Sequence, residues 1–150
     1  MVDELAGANT IQSIDSLSAN EFSVELEGEP VTAVFRLKGL VPFKLDVKAT
    51  TSLKPILEPF TLVKMVQRSP DAPTNRWIQE TIKAKADIVR PTRTLAILAV
   101  DNGVEIRRWT VKGAWISEIT YSDFDMASGD LVEERLTIHY EEIVETWGAG

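Results

Sequence analysis

Cysteine is absent from the 150-residue sequence, and His139 is its only histidine. Disulfides, thiolate metal sites and cysteine nucleophiles are therefore excluded, and any serine triad would have to use His139 as its base. Apolar runs are also short, because none approaches the roughly 20 residues that a transmembrane helix needs. The sequence is consequently poorly equipped for catalysis, and direct membrane insertion is not expected.

Positive charge is scarce as well. The sequence has 16 Lys and Arg residues against 23 Asp and Glu residues, which gives a net charge of −7. Nucleic-acid-binding modules usually carry a basic face, so we expect no specific nucleic-acid binding. The first 20 residues carry acids where a signal peptide needs a basic start, which predicts synthesis in the cytoplasm without export by the general route.

Alternation of apolar and polar residues is the dominant pattern in the rest of the chain. Runs with this period of two predict β-strands, and they fall at 21–27, 31–37, 43–49, 60–67, 92–100, 104–111, 114–121 and 131–147. A Gly-Glu-Pro turn after the first run and Asn102-Gly103 after the fifth predict two hairpins. The run at 60–67 is apolar on both faces, which predicts more burial than one small domain offers.

One segment has a helical pattern instead. Residues 69–73, "SPDAP", form a helix-start signal, because Asp71 or Thr74 can cap free backbone N–H groups and Pro73 fits the first turn. The helix is predicted over 74–86, with one apolar stripe formed by Trp77, Ile78, Thr81 and Ile82. The fold class is therefore α+β and mostly antiparallel, with two packed sheets in a barrel-like sandwich and one main helix. Residues 1–20 are predicted to form a polar N-terminal arm, and 21–150 a single domain.

Two weak signals for chemistry deserve weighing. His139 and Glu141 share one face of a predicted strand, but a catalytic zinc needs about three protein ligands. Asp123, Asp125 and Asp130 faintly resemble a calcium-binding loop. The loop lacks the third ligand and the glycine at the positions that an EF-hand requires. We therefore predict no catalytic residue, cofactor or metal, although an enzyme built around His139 and the acids at 123–130 stays open as an alternative.

The tryptophans and one loop predict contacts instead. Trp109 and Trp115 lie on either side of Gly113 in an acidic chain, so base stacking is less expected than packing in a core or between subunits. The loop at 50–59 places Leu53, Ile56 and Leu57 between prolines and predicts a reach toward a neighbouring molecule.

The order of these landmarks resembles the tail tube protein family of contractile phages and phage-tail-like contractile injection systems. The segments that carry the resemblance are "FSVELEG…FRLKGL", "RWIQETI", "AILAVDNGVEIRRWTVKGAWISEI" and "SDFDMASGDLVEERLTIHYEEI", which span residues 21–147. The family motifs fall on Trp77-Ile78, Asp101-Asn102-Gly103, Trp109, Ala114-Trp115, Asp123-Phe124, Ser128, Glu134, Leu136, Ile138, Glu141 and Ile143.

The sequence departs from the family pattern at three places. These departures bear on which branch of the family it resembles, not on the expected fold. Tyr121-Ser122 stands where the family often has Gly-Pro, and Tyr140-Glu141-Glu142 stands where it often has His-Glu-Gly. The segment between the third and fourth strands is also short.

The resemblance implies a homohexameric ring whose sheets join edge to edge, with rings stacked into a hollow tube inside a contractile sheath. It implies self-association, sheath, baseplate or spike and terminator partners, and protein or DNA cargo in the lumen. The predicted subunit or ring interface is Leu53, Ile56, Leu57, Phe60, Trp109 and Trp115. The predicted family-motif packing residues are Trp77, Ile78, Asp123, Ser128, Leu136 and Glu141. A monomeric β-barrel that binds a small ligand stays open as the alternative function.

Overall fold

The computed structural model describes residues 17–18, 21–48 and 52–148. Apart from residues 17 and 18, the predicted N-terminal arm lies outside this range. The elements are β1 (Phe22–Leu26), β2 (Glu29–Val31), β3 (Val34–Lys38), β4 (Leu45–Asp46), β5 (Lys54–Pro55), β6 (Phe60–Met65), α1 (Pro73–Ala84), β7 (Arg93–Asp101), β8 (Val104–Tyr121), β9 (Glu133–His139) and β10 (Glu142–Trp147).

The strands form two antiparallel sheets that share the long strand β8. Sheet A has the order β2-β1-β7-β8-β10, and sheet B has the order β8-β9-β6-β3. A separate small pair is formed by β4 and β5. The predicted α+β class, with two mostly antiparallel sheets and one helix, is confirmed. The path of paired strands ends at β2 and β3, so the described strands do not close into a barrel.

The two sheets and the helix bury one core. Val24, Leu26, Leu95, Ile97 and Val111 come from sheet A, and Phe60, Leu62, Ile116, Leu136 and Ile138 come from sheet B. Helix α1 adds Trp77 and Ile78. The Trp77 indole N–H donates to the Pro91 carbonyl oxygen at 3.0 Å, so the largest core side chain has no unsatisfied polar atom.

The start of α1 differs from the predicted capping. Pro73 is the first helical residue, but the N-cap is Ala72 and no side chain caps it. Thr74 is buried, and its hydroxyl donates to the Gln67 side-chain oxygen at 3.1 Å instead. Ile82 is exposed rather than on the buried stripe.

The predicted hairpin over 21–37 is only half present. β1 and β2 pair as expected, but the chain then leaves sheet A, and β3 pairs with β6 in sheet B. Val34 and Leu37 still pack against the core. Because both sheets bury their inner face against the same core, the apolar alternation continues across this switch and hides it.

The predicted strand over 43–49 was wrong for most of its length. Only Leu45–Asp46 is a strand, while Phe43 and Val47 are 77% and 81% exposed. The alternation is present, but the residues that the structure describes supply no second layer for these side chains to pack against.

Two further strand predictions need correction. The single strand over 131–147 is two strands, because the chain changes partner at Tyr140–Glu141 from sheet B to sheet A. The apolar run at 60–67 does not need a neighbour, because Leu62 and Val63 are fully buried within the protomer.

Candidate functional site

Residues 42–48 and 52–57, called the basic arm below, leave sheet B between β3 and β6. Their base is fastened to the sandwich by Tyr140, whose hydroxyl lies 2.7 Å from the Glu58 carbonyl oxygen and 3.3 Å from that of Val41. Within the arm, the Ile56 N–H donates to the Lys44 carbonyl oxygen at 2.9 Å. These bonds tie the base of the arm to the sandwich and its two described segments to each other.

Leu53, Ile56 and Leu57 lie on the basic arm as the sequence indicated. Leu53 and Leu57 are exposed and Ile56 is half-buried, so their predicted role in an interface stays a prediction. For Phe60 the prediction was wrong. Its side chain is 1% exposed, and its ring lies 5.8 Å from that of Tyr140 inside the core.

Residues 122–132, called the acidic loop below, connect β8 to β9. The loop is shaped by its own side chains: the Asp125 carboxylate accepts from the Ala127 N–H at 2.9 Å, and the Ser128 hydroxyl oxygen accepts from the Asp130 N–H at 3.1 Å. Asp123 and Ser128 are exposed. Neither side chain therefore packs in the core of the protomer, and their predicted role as family-motif packing residues stays a prediction.

The acidic loop also presents a large apolar surface. Phe124 and Leu131 are 79% and 71% exposed, and Met126 is fully exposed. The loop and the ends of β6 and β9 enclose a cleft of about 610 Å³. Sequence alternation could not find this surface, because a loop has no periodicity from which to infer which side chains face outward.

A buried ion pair lies beside this cleft. Lys64 on β6 and Glu134 on β9 are paired across sheet B, with the Lys64 ammonium 2.7 Å from the Glu134 carboxylate and both side chains almost fully buried. Burial, and then the charge of Glu134, raises the pKa of Tyr121. The sequence signal for this pair was Glu134 itself, the one acid on the inward face of an otherwise apolar strand.

The two tryptophans of β8 face opposite sides of the molecule although they are six residues apart. Gly113 lies between them with a φ of +65°, and the alternation of β8 shifts by one residue there. Trp109 therefore packs on the core of sheet A. Trp115 lies on the outer face of sheet B, stacked on His139 with ring centres 4.7 Å apart.

Around Trp115 lies a second exposed apolar surface. Ile88 and Val89 follow the helix and are almost fully exposed, and they share a cleft of about 570 Å³ with Trp115, Gly113 and Glu141. The exposed Glu141 side chain lies over Gly113, so it packs at the surface of the sheet, and its predicted role as a family-motif packing residue stays a prediction.

The edge strand β10 carries a polar cluster next to Trp109. The Trp109 indole N–H donates to the Glu145 carboxylate at 2.7 Å. The Arg107 guanidinium lies 3.5 Å from the centre of the exposed Trp147 ring. Within the described residues β10 pairs with β8 alone, so its outer backbone groups face away from the sheet.

The remaining motif residues lie in the core, where Trp77 and Leu136 are fully buried and Ile78 nearly so. Across the described ranges 17–18, 21–48 and 52–148, no group of three His, Asp or Glu side chains is placed to hold a metal ion. In the same part of the chain, no helix is long and apolar enough to span a membrane.

The chain matches a known protein family over most of the residues that build sheet B and β7. A family model described as T4-like virus tail tube protein gp19 matches residues 57–144. The comparison with curated protein sequences returns no match.

Solved structures share the fold at low identity. A chain of the extended sheath–tube complex of PVC, an extracellular contractile injection system, is 16% identical with a TM-score of 0.69, and the match covers 93% of this chain and 97% of that one. The tube-terminating cap of the anti-feeding prophage is 19% identical with a TM-score of 0.69, covering 89% and 93%. Hcp1 from the E. coli EAEC 042 pathovar is 13% identical with a TM-score of 0.58, covering 86% and 92%.

Proposed function

The chain belongs to the T4-like virus tail tube protein family, and from this premise we propose that six copies form a ring and that stacked rings form a hollow tube inside a contractile sheath. The role of the protein is structural, as a tube component of a contractile injection system or phage-tail-like particle. The enzyme alternative around His139 and the acids at 123–130 is set aside with this assignment.

The observation that carries the ring is the unpaired edge of sheet A at β10. This strand is six residues long and has a partner on one side only. Long unpaired edges favour association with another chain, and repetition of one contact around a closed ring removes them. The opposite edge, β2, has three residues and contains Pro30, so the two edges of sheet A differ and suit a heterologous contact.

The number six and the partners rest on family membership and on what related assemblies contain. The anti-feeding prophage baseplate is described as 6-fold symmetrised, and the PVC structures are a sheath–tube complex and a sheath/tube terminator. By analogy, a sheath protein, a baseplate or spike and a terminator contact the tube of this protein. The net charge of −7 suits a bore through which protein or DNA cargo slides without binding.

The interface residues divide between two directions of assembly. Leu53, Ile56 and Leu57 belong to contacts between rings, because the basic arm projects from one end of sheet B. Trp115, with Ile88 and Val89, belongs to contacts within a ring. Trp109 supports the β10 edge through Glu145 rather than touching the next subunit. In this proposal residues 21–150 act as one tail-tube domain, and residues 1–20 form an N-terminal arm.

Negative-stain electron microscopy and light-scattering mass on one purified sample test this function. The expected result is hollow rings of uniform bore, with a mass six times that of the 16.7 kDa protomer, alone or stacked into tubes. A strict monomer that also fails to add to purified baseplates would contradict the proposal. A stable monomer that binds a small ligand would favour the β-barrel alternative.

One pair of variants tests the edge contact specifically. The Gly148 N–H donates to Ile106, and alternation along an antiparallel pair then points the Glu145 N–H outward. Glu145→Pro removes that donor, while Glu145→Ala removes the same side chain and keeps the donor. Loss of rings in the proline variant alone, with both variants folded, is the expected result. Rings of equal yield from both variants would show that the β10 backbone is not used.

A further inference from the structure

Two exposed apolar surfaces lie at opposite ends of sheet B. β6 and β9 run antiparallel, with Phe60 beside Ile138 at one end and Met65 beside Glu133 at the other. The basic arm precedes Phe60, and the acidic loop precedes Glu133. Five residue steps along a strand separate the two ends by roughly 17 Å, so the two surfaces face away from each other.

The two surfaces carry opposite charge. The described residues of the basic arm include Lys44, Lys48 and Lys54 against one acid, Asp46, whereas the acidic loop contains three aspartates and no basic residue. Lys44 forms an ion pair with Glu58 at 2.8 Å. For Lys48 and Lys54, and for Asp123, Asp125 and Asp130, no salt bridge is formed within the described part of the chain. The arm is a local basic feature of an acidic protein.

Both surfaces also expose apolar side chains. On the arm, Phe43, Val47, Leu53 and Leu57 project outward; on the loop, Phe124, Met126 and Leu131 do. Phe124 and Leu131 line the cleft of about 610 Å³, which lies beside the aspartates. A cleft of this size holds several side chains, and no segment of the described protomer occupies it.

From this complementarity, and resting on the tube function proposed above, we infer that the basic arm of a protomer in one ring docks on the acidic loop of a protomer in the next ring. Contact between unlike surfaces of identical copies is heterologous and continues into an open stack. Contact between like surfaces would bring three aspartates against three aspartates, which is unfavourable. The occupant of the cleft is therefore a second copy of this chain, with Lys48 and Lys54 facing the aspartates and Leu53 entering between Phe124 and Leu131.

Charge exchange tests this docking in the full-length protein. One variant carries Asp123→Lys and Asp130→Lys, a second carries Lys48→Glu and Lys54→Glu, and a third combines all four. Asp125 and Lys44 are left unchanged because Asp125 accepts the Ala127 N–H and Lys44 pairs with Glu58. Asp101→Lys with Glu118→Lys changes the net charge as the first variant does, at exposed sites away from both surfaces.

The mass from light scattering shows whether hexameric rings form, and sedimentation with electron microscopy measures how far the rings stack. Each two-site variant is expected to form rings but to require at least ~10-fold more protein to stack, whereas the four-site variant and the control stack like the wild type. Stacking that is unchanged in either two-site variant, or not restored by the four-site variant, overturns the inference. Failure of the wild type to form rings at all is a failure of the proposed function instead.

A cysteine pair gives a second readout, because the chain has no cysteine of its own. Tubes are assembled from a mixture of Leu53→Cys and Leu131→Cys protomers. If the free protein stays as single rings, the tubes are assembled on purified baseplates. A disulfide-linked dimer is expected from the mixture and not from either variant alone. Intact tubes without this crosslink contradict the docking. In the charge-exchange experiment, an aspartate variant that still stacks but no longer binds sheath protein would instead assign the acidic loop to the sheath contact.

Discussion

The middle of sheet B and its two ends carry similar apolar side chains, but these are buried in the middle and exposed at the ends. In the middle, Leu62 and Leu136 are fully buried, and the charged pair Lys64–Glu134, one residue pair from the acidic-loop end, is enclosed as well. At the ends, Leu53, Leu57 and Leu131 are exposed. The middle is therefore satisfied within one protomer, while the ends leave apolar area that no other part of the described residues covers.

This contrast separates folding from assembly. Substitutions in the middle of sheet B should lower the free energy of unfolding of the protomer. Substitutions at the ends should leave the protomer stable and change only its association with other copies, because surface positions contribute little to folding.

The largest effect is expected at the buried ion pair. Glu134→Ala leaves the Lys64 ammonium buried without a countercharge, which costs about 3–5 kcal/mol of unfolding free energy. Replacing both partners, as Lys64→Met with Glu134→Leu, removes the uncompensated charge and should return stability to near the wild-type value. Urea unfolding of the three proteins measures this. A double variant as unstable as Glu134→Ala would show that packing, not charge, is the cause.

A matched pair of leucines sharpens the comparison directly. Leu136→Ala is expected to lower the free energy of unfolding by about 2–5 kcal/mol, because a fully buried side chain leaves a cavity. Leu57→Ala, at the base of the basic arm, is expected to change it by less than about 0.5 kcal/mol while weakening ring stacking. The same denaturation and sedimentation measurements serve both variants. Equal destabilisation by the two would mean that the arm belongs to the folding unit.

Much of the two sheets could be predicted from sequence, because most of their strands repeat one local pattern. Asn102 and Gly103 have the positive φ angles that a tight hairpin turn requires, and Leu136 and Ile138 alternate toward the core as expected. The changes of sheet at 32–33 and 140–141 could not be predicted, since the alternation continues while the partner strand changes. At Gly113 a local shift reverses which face Trp115 occupies.

The ends were predicted only in outline, for a related reason. Leu53 and Leu57 were identified as exposed because prolines break the pattern around them, but Phe43 and Val47 followed the alternation of a buried strand. Local sequence records that a residue is apolar, not whether the surface that covers it belongs to the same protomer. Phe124 and Met126 lie in a loop and offered no pattern, and Leu131 was assigned to the strand predicted over 131–147, although β9 begins at Glu133.

The smallest effect is expected where the two regions meet, at Tyr140. Its ring packs in the core while its hydroxyl holds the base of the arm at Glu58. Tyr140→Phe keeps the ring and should cost about 1 kcal/mol of unfolding free energy, the usual value for one hydrogen bond, together with weaker stacking because the arm is less firmly held.

The pH dependence of that loss identifies the hydroxyl as its cause. Burial raises the pKa of Tyr140 above its ordinary value of 10.0. A raised pKa in the folded state means that the contribution is complete below pH 10 and disappears as the pH rises through the folded-state pKa. The difference in unfolding free energy between wild type and Tyr140→Phe should thus be constant from pH 7 to about 9.5 and shrink above that range. A difference that persists unchanged into strong alkali would show that the loss does not depend on ionisation of the Tyr140 hydroxyl, and the pH test would then contradict the assigned cause.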